Sequence, residues 1–96
     1  MTKVEWENKL EQMYKENPMI ARSKRKTVNE ILYLLRMDKE NDYNISIDEG
    51  GMWSCIPSVK ECLVPVKTLA RHVKSIELDE DDYGCEEVCL TIVTEV

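Results

Sequence analysis

The hydrophobic period of this chain changes near residue 38, and that change limits the folds open to it. Before Asp38, apolar side chains recur three and four residues apart; after Tyr43 they mostly alternate. The first pattern belongs to amphipathic helices and the second to half-buried strands. Helical pattern first and strand pattern later, with one more helical stretch between strands, give an α+β class.

Thr2-Lys3-Val4-Glu5 fits a capping box, and Trp6, Leu10, Met13 and Tyr14 follow as one apolar stripe. Asn17-Pro18 stops that helix, because the residue before proline is pushed out of the helical region. Helix one is expected over 3–16. Residues 19–26 form a connector that carries Arg22, Lys24, Arg25 and Lys26. Thr27-Val28-Asn29-Glu30 repeats the capping pattern, and Val28, Ile31, Leu32, Leu34, Leu35 and Met37 predict a more buried helix over 28–38. Two helices joined this closely suggest an αα-hairpin.

Ile45 and Ile47 alternate with Asn44, Ser46 and Asp48. Glu49-Gly50-Gly51 is a hairpin signal, Met52–Ile56 is the return strand, and Pro57 ends it. Residues 58–64 fit a short helix or another strand. Pro65, Val66, Leu69, Ala70 and Val73 predict a third helix over 65–74. Ile76 and Leu78 then alternate with Glu77 and Asp79, Asp82-Tyr83-Gly84 is a turn, and Val88, Leu90, Ile92, Thr94 and Val96 share one face of the last strand. The expected order is ααββαββ: two N-terminal helices, then antiparallel β-hairpins with an intervening helix, in a single domain over 1–96. With 96 residues and no Phe the core is modest, so a homodimer is a natural supplement.

Charge is segregated. The segment 75–96 holds eight carboxylates and no Lys or Arg, while the other 74 residues balance 13 basic against 11 acidic side chains. Acids on neighbouring strands repel, so concentrating them suggests that they face a basic partner. On a strand over 76–81, Glu77, Asp79 and Asp81 share a face at about 6.7 Å spacing, roughly two phosphate steps of DNA. Asp82 and Glu87 extend this row. Asp38, Glu40, Asp42, Asp48 and Glu49 form a second acidic run against one Lys39. A solvated surface is the plain alternative for such runs.

Catalytic and metal chemistry find little support. Asp79 as the first ligand of a calcium loop puts Gly84 at the sixth position but Leu90 at the twelfth, where Glu is required. Cys85-x3-Cys89 and Cys55-x6-Cys62 lack zinc-knuckle spacing. His72, the only histidine, is expected on helix three off the apolar stripe, and no nucleophile-elbow or phosphate-loop motif occurs. No enzyme activity, metal or cofactor is expected. Trp6 is expected in the core; Trp53 is expected on the outer sheet face, where it is a candidate interface anchor. The N-terminus has no apolar export region and no run of 18 apolar residues occurs, so a cytoplasmic protein with reduced cysteines and no membrane contact is expected.

In size, charge and lack of catalytic motifs the chain resembles the small acidic host-takeover proteins made early by phages of Gram-positive bacteria. Some of those are DNA mimics, and one type inhibits the nucleoid-associated protein HU. The resemblance implies a non-enzymatic, often dimeric inhibitor in the host cytosol. Its carboxylates would replace phosphates and compete for a basic DNA-binding host protein. The net charge of −6 is mild for a mimic, and Arg22-Ser23-Lys24-Arg25-Lys26 departs from a uniformly acidic surface. That patch keeps two alternatives open: a small nucleic-acid-binding regulator using residues 22–26, or an adaptor for a host enzyme that does not bind DNA. For the first reading, direct nucleic-acid binding is not expected.

Overall fold

The computed structural model describes residues 2–79 and 88–95. Helix α1 spans Lys3–Glu16, as the Thr2 cap and Pro18 dictate. Thr2 accepts a hydrogen bond from the Glu5 N–H at 3.2 Å, and its hydroxyl donates to the Glu5 carboxylate. Asn17 caps the far end through its own N–H and through its side-chain amide, which donates to the Met13 carbonyl. Pro18 does not merely end α1. It begins a five-residue helix, α2, Pro18–Arg22, inside the expected connector, where proline at a first helical position gives up no bond.

Helix α3, Val28–Arg36, starts on a full capping box: the Thr27 hydroxyl accepts from the Glu30 N–H and the Glu30 carboxylate accepts from the Thr27 N–H. Strands β1 (Tyr43–Asp48) and β2 (Trp53–Ile56) form the expected antiparallel hairpin. Gly50 and Gly51 both have positive φ, 74° and 95°, as a two-residue turn that follows the strand twist requires. Helix α4 is only Val66–Leu69, and Val73 already belongs to strand β3 (Val73–Leu78), so the expected helix over 65–74 is too long. His72 therefore lies at a β-bridge with Thr27, not on a helix. Strand β4 is Val88–Thr94 and pairs antiparallel with β3.

The sheet order is β2-β1-β4-β3, and β1 and β4 run parallel. The sheet is thus mixed, not antiparallel throughout: two antiparallel hairpins join through a parallel central pair. These two strands carry the densest apolar alternation, and central parallel strands are those most fully buried. Tyr43, Ile45 and Ile47 stand in register with Val88, Leu90 and Ile92. All six are buried and join Trp6, Met13, Val28, Ile31, Leu32 and Leu35 in one core. The rings of Trp6 and Tyr43 meet edge to face at 6.0 Å. The described helices pack on this side, and among the described residues no helix covers the opposite sheet face. No helix among the described residues is long and apolar enough to cross a membrane.

Candidate binding surface

Because strand side chains alternate, the register fixes what the helix-free face presents. One row across it is Trp53, Asp48, Val93 and Ser75; the next is Cys55, Ser46, Thr91 and Glu77. Beyond them lie Asn44 and Cys89, with Asp79 beside Cys89 through a 2.9 Å backbone bond. Small polar side chains fill the middle, and these positions include three carboxylates but no Lys or Arg. Thr91, only 6% exposed, donates its hydroxyl to the Asp79 carboxylate at 3.2 Å. That bond ties Asp79 to the middle of the face. Glu77 is exposed on β3, the edge strand.

Of the ten acids singled out in the sequence, the seven that are described do not form two rows on one face. Glu77, Asp79 and Asp48 share the helix-free face. Asp81, Asp82 and Glu87 lie outside the described residues. The second run is largely committed to holding the fold. Asp42 accepts from the Ser58 hydroxyl and from the Tyr43 N–H, and Asp48 accepts from the Gly51 N–H at 2.8 Å. Glu49 accepts from Thr68 at 2.9 Å and pairs with Arg71 at 3.3 Å.

Asp38 departs furthest from the sequence expectation. It reads as a turn residue in a polar stretch, yet its side chain is 2% exposed. Its carboxylate accepts from the Tyr43 hydroxyl, the Asn41 amide and the Glu40 N–H, and pairs with the Lys9 ammonium at 3.2 Å. Burial opposes its charge, but these hydrogen bonds outweigh burial and hold its pKa below the ordinary carboxylate value. Burial likewise opposes the charge on Lys9, but bonding to Glu40 and Asp38 raises its pKa. Burial and the neighbouring Asp38 push the Tyr43 hydroxyl far above its usual range. Asp38 is therefore not a phosphate surrogate on the surface. Of the second run, Glu40 alone keeps a largely exposed carboxylate, 82%, while bonding Lys9 at 3.1 Å.

The basic connector is also partly spent. Arg25 pairs with Glu95 at 3.0 Å, and the Lys26 ammonium donates to the Ser23 carbonyl and lies 5.3 Å from the Tyr14 ring centre. A groove of about 660 Å³ runs between α1 and the end of α3, lined by Lys9, Gln12, Met13, Leu34, Met37 and Asp38 among others. Its Lys9 and Asp38 already satisfy each other, so that pair holds no free charge ready for a substrate. Among the described residues no three His, Cys, Asp or Glu side chains gather as metal ligands. Comparison with protein-family models, with curated proteins and with solved structures finds no match.

Proposed function

We propose that the chain is a non-enzymatic protein-binding inhibitor that engages a basic, DNA-binding partner through the helix-free face of its sheet. The observation that supports this reading is the presence of three carboxylates, Asp48, Glu77 and Asp79, on the strand rows of that face, with Lys74 the cation set beside Asp48 at the β3 bulge. The arrangement is narrower than the double row that duplex mimicry would use. Glu77 and Asp79 lie about 6.7 Å apart, and Asp48 stands two strands away, roughly 12 Å from Glu77. Such a face suits a compact cluster of Lys and Arg better than a long DNA-binding saddle. The site of action is a bacterial cytosol, and the partner is of the nucleoid-associated type.

The test is competition. Purified HU is loaded on a fluorescent DNA duplex and the chain is titrated in at two salt concentrations. Release of DNA at low salt, weakened at high salt and lost in the Glu77→Lys/Asp79→Lys variant, is expected, because exposed charges are screened within about 10 Å at 0.1 M. If the double variant releases DNA as well as the wild type does, the acidic face is not the site. If neither releases it, a nucleoid-type partner is wrong.

A further inference from the structure

The two edges of the sheet are treated differently. At β3 the start of the edge is covered by the connector: the Val73 N–H donates to the Lys26 carbonyl at 2.7 Å and the Val28 N–H to the Arg71 carbonyl at 2.9 Å. Exposed Lys74 guards the next position. At β2 none of these devices appears among the described residues. Met52 to Ile56 has no charged side chain, Met52 and Trp53 are among the most exposed large apolar residues, and only Pro57 marks the end.

The register tells which β2 backbone groups face outward. Glu49 and Met52 close the hairpin, with the Glu49 N–H donating to the Met52 carbonyl at 2.8 Å. Hydrogen-bonded and non-bonded pairs alternate along an antiparallel ladder. Ser54 and Ile56 therefore bond Ile47 and Ile45, while Trp53 and Cys55 turn both N–H and C=O away from β1. Two bonds elsewhere agree with this parity. The Asp48 carbonyl points toward β4, where it accepts from the Thr94 hydroxyl, and the Tyr43 carbonyl points the other way, to the Val59 N–H. Pro57, lacking an N–H, falls on the outward parity, as proline on an edge should.

We infer that β2 is a homodimer seam, at which a second copy adds its own β2 antiparallel about a two-fold axis through Ser54. The outward residues sit symmetrically on either side of Ser54. Pairing Trp53 with Cys55 of the second copy, and Cys55 with Trp53 of the second copy, satisfies all four outward groups on each chain. Such self-complementarity is what a two-fold interface demands. The neutral strand also lets two chains of net charge −6 meet without opposing like charges at the seam. On the helix-free face each indole lies over the thiol of the opposite chain, a favourable sulfur–aromatic contact that withdraws an indole now 61% exposed. The two sheets become one of eight strands.

The experiment is amide hydrogen exchange on the full chain, read residue by residue by NMR between about 20 µM and about 1 mM, beside sedimentation over the same range. The Trp53 and Cys55 amides are expected to gain protection about tenfold or more with concentration, as the sedimenting mass doubles, while the Ser54 amide stays protected throughout. A second reading of register comes from Ser54→Cys. Two-fold-related Cα atoms at a non-bonded pair lie about 4.5 Å apart, within disulfide reach, whereas Cys55 to Cys55 of the second copy is diagonal at about 7–8 Å, outside it. Mild oxidation should link the variant through position 54, as mapped by peptide mass. A monomer at the highest concentration overturns the inference. So does a dimer whose Trp53 and Cys55 amides exchange freely, or a variant dimer that cross-links through Cys55 in preference to the thiol introduced at position 54.

Discussion

Tyr43 donates its hydroxyl proton to the carboxylate of Asp38, five residues before it, with both side chains in the interior. The pair fastens the end of α3 to the start of β1, and Lys9 draws α1 into the same knot. Removing the acceptor leaves a buried hydroxyl unpaired and leaves the Lys9 ammonium with Glu40 alone. Asp38→Ala is expected to cost about 3 kcal/mol and Tyr43→Phe about 1.5 kcal/mol. Urea unfolding of both singles and the double should show a coupling of about 1 kcal/mol or more; additive losses would mean that the two groups do not act as one unit.

The same groups set limits on stability with pH. Asp38 and Asp42 have folded-state pKa values below the ordinary 3.8. Their contribution is therefore fully present above that value and is lost as the pH falls through the depressed folded values. Tyr43 is raised above 10.0, and Lys9 is raised above 10.5. Their contributions are present below those values and are lost as the pH rises through the folded ones, because the unfolded chain deprotonates first. Thermal midpoints should be level between about pH 5 and pH 9 and fall on both sides. In Tyr43→Phe the alkaline fall should begin later.

Gly51 offers a clean test of backbone strain. A methyl group at its α-carbon would meet nothing within 4 Å, yet its φ is +95°. Gly51→Ala should cost about 1 kcal/mol through backbone conformation alone, with the sheet intact by circular dichroism. A neutral result would show that the turn relaxes at no cost.

Thr27 and Arg25 lie two residues apart and should behave differently. Thr27→Ala removes the hydroxyl that serves the Glu30 N–H at 3.3 Å and should cost about 1 kcal/mol. Arg25 meets Glu95 across exposed surface, so Arg25→Ala should change stability by less than about 0.5 kcal/mol. Chemical denaturation of the two variants side by side distinguishes a cap from a surface ion pair.

Local signals carried the helices well. Both helix starts fell where Thr2 and Thr27 placed them, with a full capping box at Thr27 and a one-way cap at Thr2, and the glycine pair made its turn. What the sequence could not convey was long-range. The pairing of β1 with β4 joins segments 45 positions apart, and no local pattern distinguishes a parallel from an antiparallel neighbour. Asp38 was illegible for the same reason. In the polar run DKEND it resembles any solvated acid, and its burial is decided by Lys9 and Tyr43, which approach from other elements. Helix α4 was overread because Val73 fits helical spacing from Val66 and Leu69 as well as it fits the start of a strand. Trp53 was legible as an outer-face residue, since alternation alone sets its side.

The parallel pair also governs how fast the molecule can form. The β1–β2 hairpin closes over two glycines, and such turns form within about 1–10 µs. Strand β4 must then enter between β1 and β3, closing a loop of 45 residues at an entropic cost of about 3 kcal/mol plus a constant term. No pairing of the first hairpin with the second exists until that closure occurs. The sheet should therefore cross its main barrier as β4 docks, with the helices and the first turn already able to fluctuate into place. Until then Tyr43, Ile45 and Ile47 lack their neighbours on one side, and that waiting interval, more than the finished fold, is when the chain is most exposed to misassociation.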